Sequence, residues 1–171
     1  EVSERMKDIA KGAALMAGVD YEIKLQSGLS ELLINETGAK ALQANMNLVG
    51  PITYTKDELS FAEKIMKEYG LEMKGISGDI KPLEVTKPDP AGGSTDVGDV
   101  SYIVPEITLL ATTAPYESPW HSWVVVACGG MSIGHKGMLF ASKALGTTMV
   151  DLFENEKLRQ DIKDEFLKRK G

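Results

Sequence analysis

The sequence predicts an α/β chain, a sheet flanked by helices, preceded by the end of a smaller α+β unit. Three observations lead there. Apolar residues recur at three- and four-residue spacing over several stretches, the period of an amphipathic helix. Between them lie short runs that alternate apolar and polar, or are continuously apolar and β-branched, as strands do. From residue 71 to residue 99 the chain turns loop-like, with five glycines and three prolines.

Val2, Met6, Ile9, Ala10, Ala13, Ala14 and Met16 share one helical face, and Gly18 suits a left-handed C-cap. Tyr21, Ile23 and Leu25 then alternate with Glu22, Lys24 and Gln26, predicting a half-buried strand. This helix and strand cannot bury both apolar faces unaided. The chain also opens on Glu1 rather than Met, so an excised segment with partner strands upstream is expected. Asn35 is placed to cap a helix running to about Leu48, with Ala39, Leu42 and Met46 inward. Thr55-Lys56-Asp57-Glu58 has the spacing of a capping box, and Phe61, Ala62, Ile65 and Met66 continue that helix to a stop at Gly70.

The interval 71–99 is long for a loop in a compact domain, which points to function or mobility. Residues 100–104 and 107–111 read as strands interrupted by Pro105, and residues 123–127 as another short strand. A long helix follows over about 132–153, carrying Ile133, Phe140, Ala144, Leu145, Met149 and Leu152. Asn155 suits the cap of a last helix that turns Leu158, Ile162 and Phe166 inward.

Composition narrows the function classes. With 171 residues and 43% hydrophobic content the chain can build one core, or one domain and a piece of another. Net charge is −6, and basic residues cluster only at Lys168, Arg169 and Lys170, which excludes a nucleic-acid footprint. The longest apolar run, residues 123–128, is too short to span a bilayer, and no secretory signal is legible. Cys128 is the single cysteine; it excludes an internal disulfide and fits a reducing, cytoplasmic compartment.

Few residues offer chemistry. In Gly92-Gly93-Ser94-Thr95-Asp96-Val97-Gly98-Asp99 the glycines allow close backbone approach, and hydroxyls and amides can donate to a carboxylate. An ordinary turn has the same composition. His121, in Pro119-Trp120-His121-Ser122-Trp123, suits a metal ligand or a structural histidine between two tryptophans. His135, in Gly134-His135-Lys136-Gly137, falls in the first turn of the long helix, too far from His121 for an i, i+4 metal pair. It suits a substrate contact or a helix-end polar group. Cys128 reads as a buried, inert thiol, and Glu117 lies near His121 in a loop of undefined geometry. Two histidines and one cysteine do not make a complete metal site.

The blocks Gly93-Ser94-Thr95-Asp96-Val97-Gly98-Asp99-Val100-Ser101, Pro105, His121-Ser122-Trp123 and Gly134-His135-Lys136-Gly137-Met138 resemble, in order and spacing, the C-terminal signature of the M20 metallopeptidase/amidohydrolase family. The wording is that of its aminobenzoyl-glutamate-hydrolysing branch. The resemblance implies the C-terminal half of a zinc-exopeptidase-like catalytic domain at 35–171, preceded at 1–34 by the last helix and strand of a lid and dimerisation domain. It implies His121 as the last metal ligand, for Zn or Mn, and Gly93, Ser94, Thr95 and Asp96 as substrate contacts; His135, a candidate substrate contact on its own chemistry, matches a branch-specific position to which the wider family gives no role. Thr95-Asp96-Val97 stands where many relatives have Glu-Asp-Phe. No catalytic residue falls within this chain, since the resemblance puts the general base in the missing N-terminal part.

The implied activity is metal-assisted amide hydrolysis of a small N-acyl amino acid such as p-aminobenzoyl-glutamate, giving p-aminobenzoate and glutamate. A homodimer, or a heteromer with a paralogous A-type subunit, is implied as the assembly. Two other readings stay open: a relative acting on another acyl-amino acid or dipeptide, and a non-catalytic structural subunit. The metal ligands encoded upstream separate enzyme from non-enzyme.

Overall fold

The computed structural model describes residues 1–84, 93 and 95–171. Contacts divide the chain into two compact units, Glu1–Ser30 and Glu31–Gly171. The first holds helix α1 (Val2–Ala17), closed by Gly18 at φ 65°, whose amide donates back to the Ala14 and Leu15 carbonyls. Gly18 thus takes the left-handed cap expected of it. Ala14 is buried, whereas Val2, Met6, Ile9 and Met16 are exposed.

The second unit contains α2 (Glu36–Val49), α3 (Lys56–Glu68), α4 (Val97–Ser101), α5 (Trp123–Gly129), α6 (Ser132–Glu154) and α7 (Glu156–Lys170). α6 packs against α2, α5 and α7, and α3 meets α5. Leu42, Phe140, Ala144, Ile162 and Phe166 are buried on α2, α6 and α7. A second cluster joins Ile65, Met66, Val124 and Cys128, with Phe61, Met73, Ala114 and Ala127 packed around it.

Polar groups fix how these helices meet. Asn35 Oδ1 caps α2 by accepting from the Gly38 amide at 2.9 Å, and its Nδ2 donates to the Ile162 carbonyl of α7 at 2.9 Å. Glu165 of α7 accepts from the Glu36 and Thr37 amides, each at 2.8 Å, and from the Thr37 hydroxyl at 2.6 Å. A carboxylate at that helix N-terminus meets amides left without intrahelical partners. The Thr55–Glu58 capping box and the Asn155 cap, which accepts from Leu158, are formed as expected.

The fold class differs from the expected α/β class. Among the described residues there are seven helices and no strand, so neither a zinc-exopeptidase-like sheet nor a lid strand is present. Residues 21–26 carry no regular structure, and Tyr21, Ile23 and Leu25 are exposed. Period-two alternation becomes a strand only when a neighbour completes the ladder. Residues 100–104 begin inside α4 and end in a turn, with the Val104 amide bonded to the Val100 carbonyl at 3.0 Å. Residues 107–111 are irregular.

Residues 123–127 lie in α5, where Val124 and Cys128, one turn apart, are both fully buried while Val126 is exposed. A short apolar run fits a helix as well as a strand, and here burial chose the helical period. Leu145 and Met149 are exposed as well. The buried face of α6 runs through Gly137, Phe140, Ala144 and Thr148. Leu145 and Met149 each follow one position later, about 100° around the axis.

Single backbone bonds, rather than ladders, tie the irregular segments. Ile52 N donates to Gly78 O at 3.0 Å, and Tyr116 N to Gly75 O at 3.0 Å. Gly78 permits the first, because a Cβ there would overlap the Ile52 carbonyl. Among the described residues, no single helix is long and apolar enough to cross a membrane; α5 and α6 pass that test only as a pair, bent by 68°.

Candidate functional site

His121 sits on the loop between Pro115 and α5, and the sequence around it is held from several sides. Lys74 Nζ reaches both oxygens of Glu117, at 3.0 Å and 2.8 Å. Lys81 Nζ lies 5.6 Å above the Tyr116 ring, Ser118 Oγ lies 3.5 Å from Met66 Sδ, and the Trp123 ring packs 5.8 Å from that of Tyr69. Thr112 Oγ1 donates to Ser77 O at 2.8 Å. The segment after α3 thus buttresses the loop on which His121 sits.

The loop is also strained. Among the described residues, Glu117 and His121 are the non-glycine positions at positive φ, at 59° and 62°. A side chain in that region costs free energy that surrounding contacts must offset, and such residues gather at binding and catalytic sites. His121 is exposed. Beside it, Ser122 Oγ is buried and lacks a hydrogen-bond partner among the described residues.

A second constellation joins α3 to the first turns of α6. Lys136 Nζ donates to Glu58 Oε2 at 2.6 Å and to Thr53 O at 2.8 Å, and lies 5.7 Å from the Tyr54 ring centre. The Lys136 bond, the Ser132 hydroxyl and the Thr55 amide hold the Glu58 carboxyl down to about 2, against the opposing effect of burial. The glycines flanking His135-Lys136 allow this approach. A Cβ on Gly134 would lie 2.5 Å from Gly129 Cα, and one on Gly137 would lie 2.8 Å from Thr113 Cγ2 and overlap the Thr112 carbonyl. Gly134-His135-Lys136-Gly137 is therefore a packing device with one part-buried ion pair, and His135 stands clear of it as an exposed side chain.

The predicted site residues lie on three segments of the chain: ahead of α4, on the loop before α5 and in the first turn of α6. Ser94, like Gly92, lies outside the described residues. Gly93, Thr95 and Asp96 are exposed ahead of α4, where Thr95 Oγ1 accepts from the Val97 amide at 3.3 Å. Among the described residues, no hydrogen bond or ion pair joins Gly93, Thr95 or Asp96 to His121 or His135. The cleft of about 450 Å³ beside Glu58 and Lys136 is lined by none of them. Cys128 is fully buried, and burial pushes its thiol up from the ordinary range.

Among the described residues, no group of three or more His, Cys, Asp or Glu side chains could hold a metal ion. One exposed imidazole does not make a metal centre, so these residues alone do not fit a resident metal. Lys74 carries no signal in the sequence, and Lys136 is marked there only as a member of the Gly134-His135-Lys136-Gly137 block. Each is a lone lysine, and only folding reveals the carboxylate it meets.

No protein-family model matches the chain, and no solved structure matches it. The chain is 29% identical over 189 aligned residues to the B-type subunit of p-aminobenzoyl-glutamate hydrolase from Escherichia coli (strain K12). The match covers 96% of this chain and 39% of that protein. The chain is a distant, partial-length homologue of that hydrolase's B-type subunit.

Proposed function

We propose that this chain is the C-terminal part of a metal-dependent amidohydrolase that cleaves N-acyl amino acids such as p-aminobenzoyl-glutamate, with His121 supplying one metal ligand. The observation that carries the reading is the His121 loop: an exposed imidazole in a left-handed backbone conformation, flanked by a buttressed segment. The distant homology to a hydrolase subunit supports the reaction class. The other metal ligands and the general base would come from outside these residues.

Gly93, Ser94, Thr95 and Asp96 are proposed to orient the carboxylate-bearing half of the substrate, and His135 to contact it. Exposure of Gly93, Thr95, Asp96 and His135 leaves them accessible for that role. A divalent ion, Zn or Mn, would supply Lewis acidity when bound. We place the enzyme in the cytoplasm, where Cys128 would stay reduced. Its relative is named as a subunit, and a dimer or a heteromer with an A-type partner is the assembly we propose.

The test is hydrolysis of p-aminobenzoyl-glutamate by the full-length protein, before and after chelation and on adding back Zn or Mn. Turnover that disappears on chelation and returns with metal supports the reading. Turnover indifferent to chelation, or none with any N-acyl amino acid, contradicts it.

A further inference from the structure

Resting on the reading that this chain is the C-terminal part of a longer enzyme, we infer that the outer face of α6 is the seat on which the earlier part of the same polypeptide packs. α6 is apolar on both sides. Its inner face buries Ile133, Phe140 and Ala144. At about 100° per residue, Met138, Leu139, Leu145, Met149, Val150 and Phe153 gather on the opposite side. All six are exposed, from 42% at Leu145 to 79% at Phe153. The face extends about 22 Å along the axis, at about 1.5 Å per residue.

No Asp, Glu, Lys or Arg interrupts it. Lys136 turns to Glu58, Asp151 accepts from Asn45 of α2, and Lys143 and Glu154 lie at the margin. Ser142, within the face, turns its hydroxyl onto its own helix and donates to the Met138 carbonyl at 2.8 Å. α7 shows the ordinary arrangement, with Ile162 and Phe166 buried and Lys157, Asp161, Asp164 and Lys168 exposed. A helix apolar all round belongs in an interior. A contiguous apolar surface left open in one piece of a protein marks a contact.

The occupant follows from length and chemistry. The match to the Escherichia coli subunit covers 39% of that protein, so on the proposed reading most of the enzyme lies outside this chain and needs a surface to pack on. A face of Met, Leu, Val and Phe without charge has the character of a domain core cut in half, which suits a permanent contact. A lipid surface fits poorly. Helices that lie on membranes flank their apolar face with basic residues, whereas Lys136 is engaged by Glu58 and the chain carries a net charge of −6.

The test uses the full-length protein. Met149→Cys and, as an exposed control on α7, Lys163→Cys are treated with a thiol reagent, and labelling of each peptide is followed by mass spectrometry. Met149→Cys should label roughly tenfold or more slowly than Lys163→Cys in the native protein, because reactivity follows access, and the difference should vanish in urea. A benzophenone side chain placed at Phe153 should, on illumination, cross-link within one polypeptide to a peptide that precedes Glu1, at the mass of a single chain. Equal labelling of the two cysteines overturns the inference. A cross-link at the mass of two chains, to another protein or to lipid overturns it as well. Neither readout needs metal or turnover. Protein that forms the internal cross-link but shows no chelator-sensitive hydrolysis loses the hydrolase reading alone, and protein that hydrolyses while Met149→Cys labels freely loses this inference alone.

Discussion

Glu58 Oε2 lies 2.6 Å from Lys136 Nζ, joining the first turn of α3 to the first turns of α6. The carboxylate is mostly buried and the lysine about one-third exposed, at 8% and 33% of their side-chain areas. Glu58 also accepts from the Thr55 amide, so one side chain closes a helix cap and a tertiary contact together. Removing the lysine would strand a buried charge, whereas removing the glutamate would leave a lysine that can reach water.

Lys136→Met is therefore expected to destabilise the chain by about 1–3 kcal/mol, and Glu58→Gln by less. Urea unfolding of both variants checks the order. A larger loss in Glu58→Gln than in Lys136→Met would show that the carboxylate acts mainly as a cap.

Acid should weaken the fold in a defined window. The carboxyls of Glu58 and Glu165 are each brought from 4.5 down to about 2. For Glu165, burial pushes upward and is outweighed by the Thr37 hydroxyl, the Thr37 and Glu36 amides and Arg169. A depressed folded-state pKa contributes stability above the unfolded value and loses it as pH falls through the folded one. Stability should thus decline between pH 4.5 and about pH 2. The decline should be shallower in Glu58→Gln and Glu165→Gln, as read from urea midpoints across that range.

The glycines of α6 separate packing from helix propensity. Gly137→Ala should cost about 1–3 kcal/mol, because its methyl would press on Thr112 and Thr113. Gly146→Ala meets nothing within 4 Å and should gain up to about 1 kcal/mol. Thermal unfolding of the two single variants, moving in opposite directions, is the expected result.

Cys128 should stay unmodified by an aromatic disulfide reagent in the native chain and react fully once urea unfolds it. Its side chain is fully buried and its thiol is pushed up by burial. Rapid native reaction would mean that the cluster with Ile65, Met66 and Val124 opens readily.

The caps show what was legible in the sequence. Asn35, Thr55 with Glu58, and Asn155 announce helix starts through bonds made within three residues, and all three form. The conformation of the alternating and β-branched runs was not legible. Alternation at Tyr21, Ile23 and Leu25 and the valines of α5 state a preference that only non-local partners can realise. At α5 those partners favour the helical period, which buries Val124 and Cys128 together. For the candidate site, His121 could be selected by residue type, but its left-handed backbone and the Lys74–Glu117 tie depend on residues distant in sequence.

The role of His121 is tested most directly by bound metal. Purified full-length protein, its His121→Ala variant and a His135→Ala control should be compared for Zn content by elemental analysis after equal loading and dialysis. The account predicts that His121→Ala loses most of one equivalent while remaining folded by circular dichroism, and that His135→Ala retains it. Full metal content in His121→Ala would contradict the account.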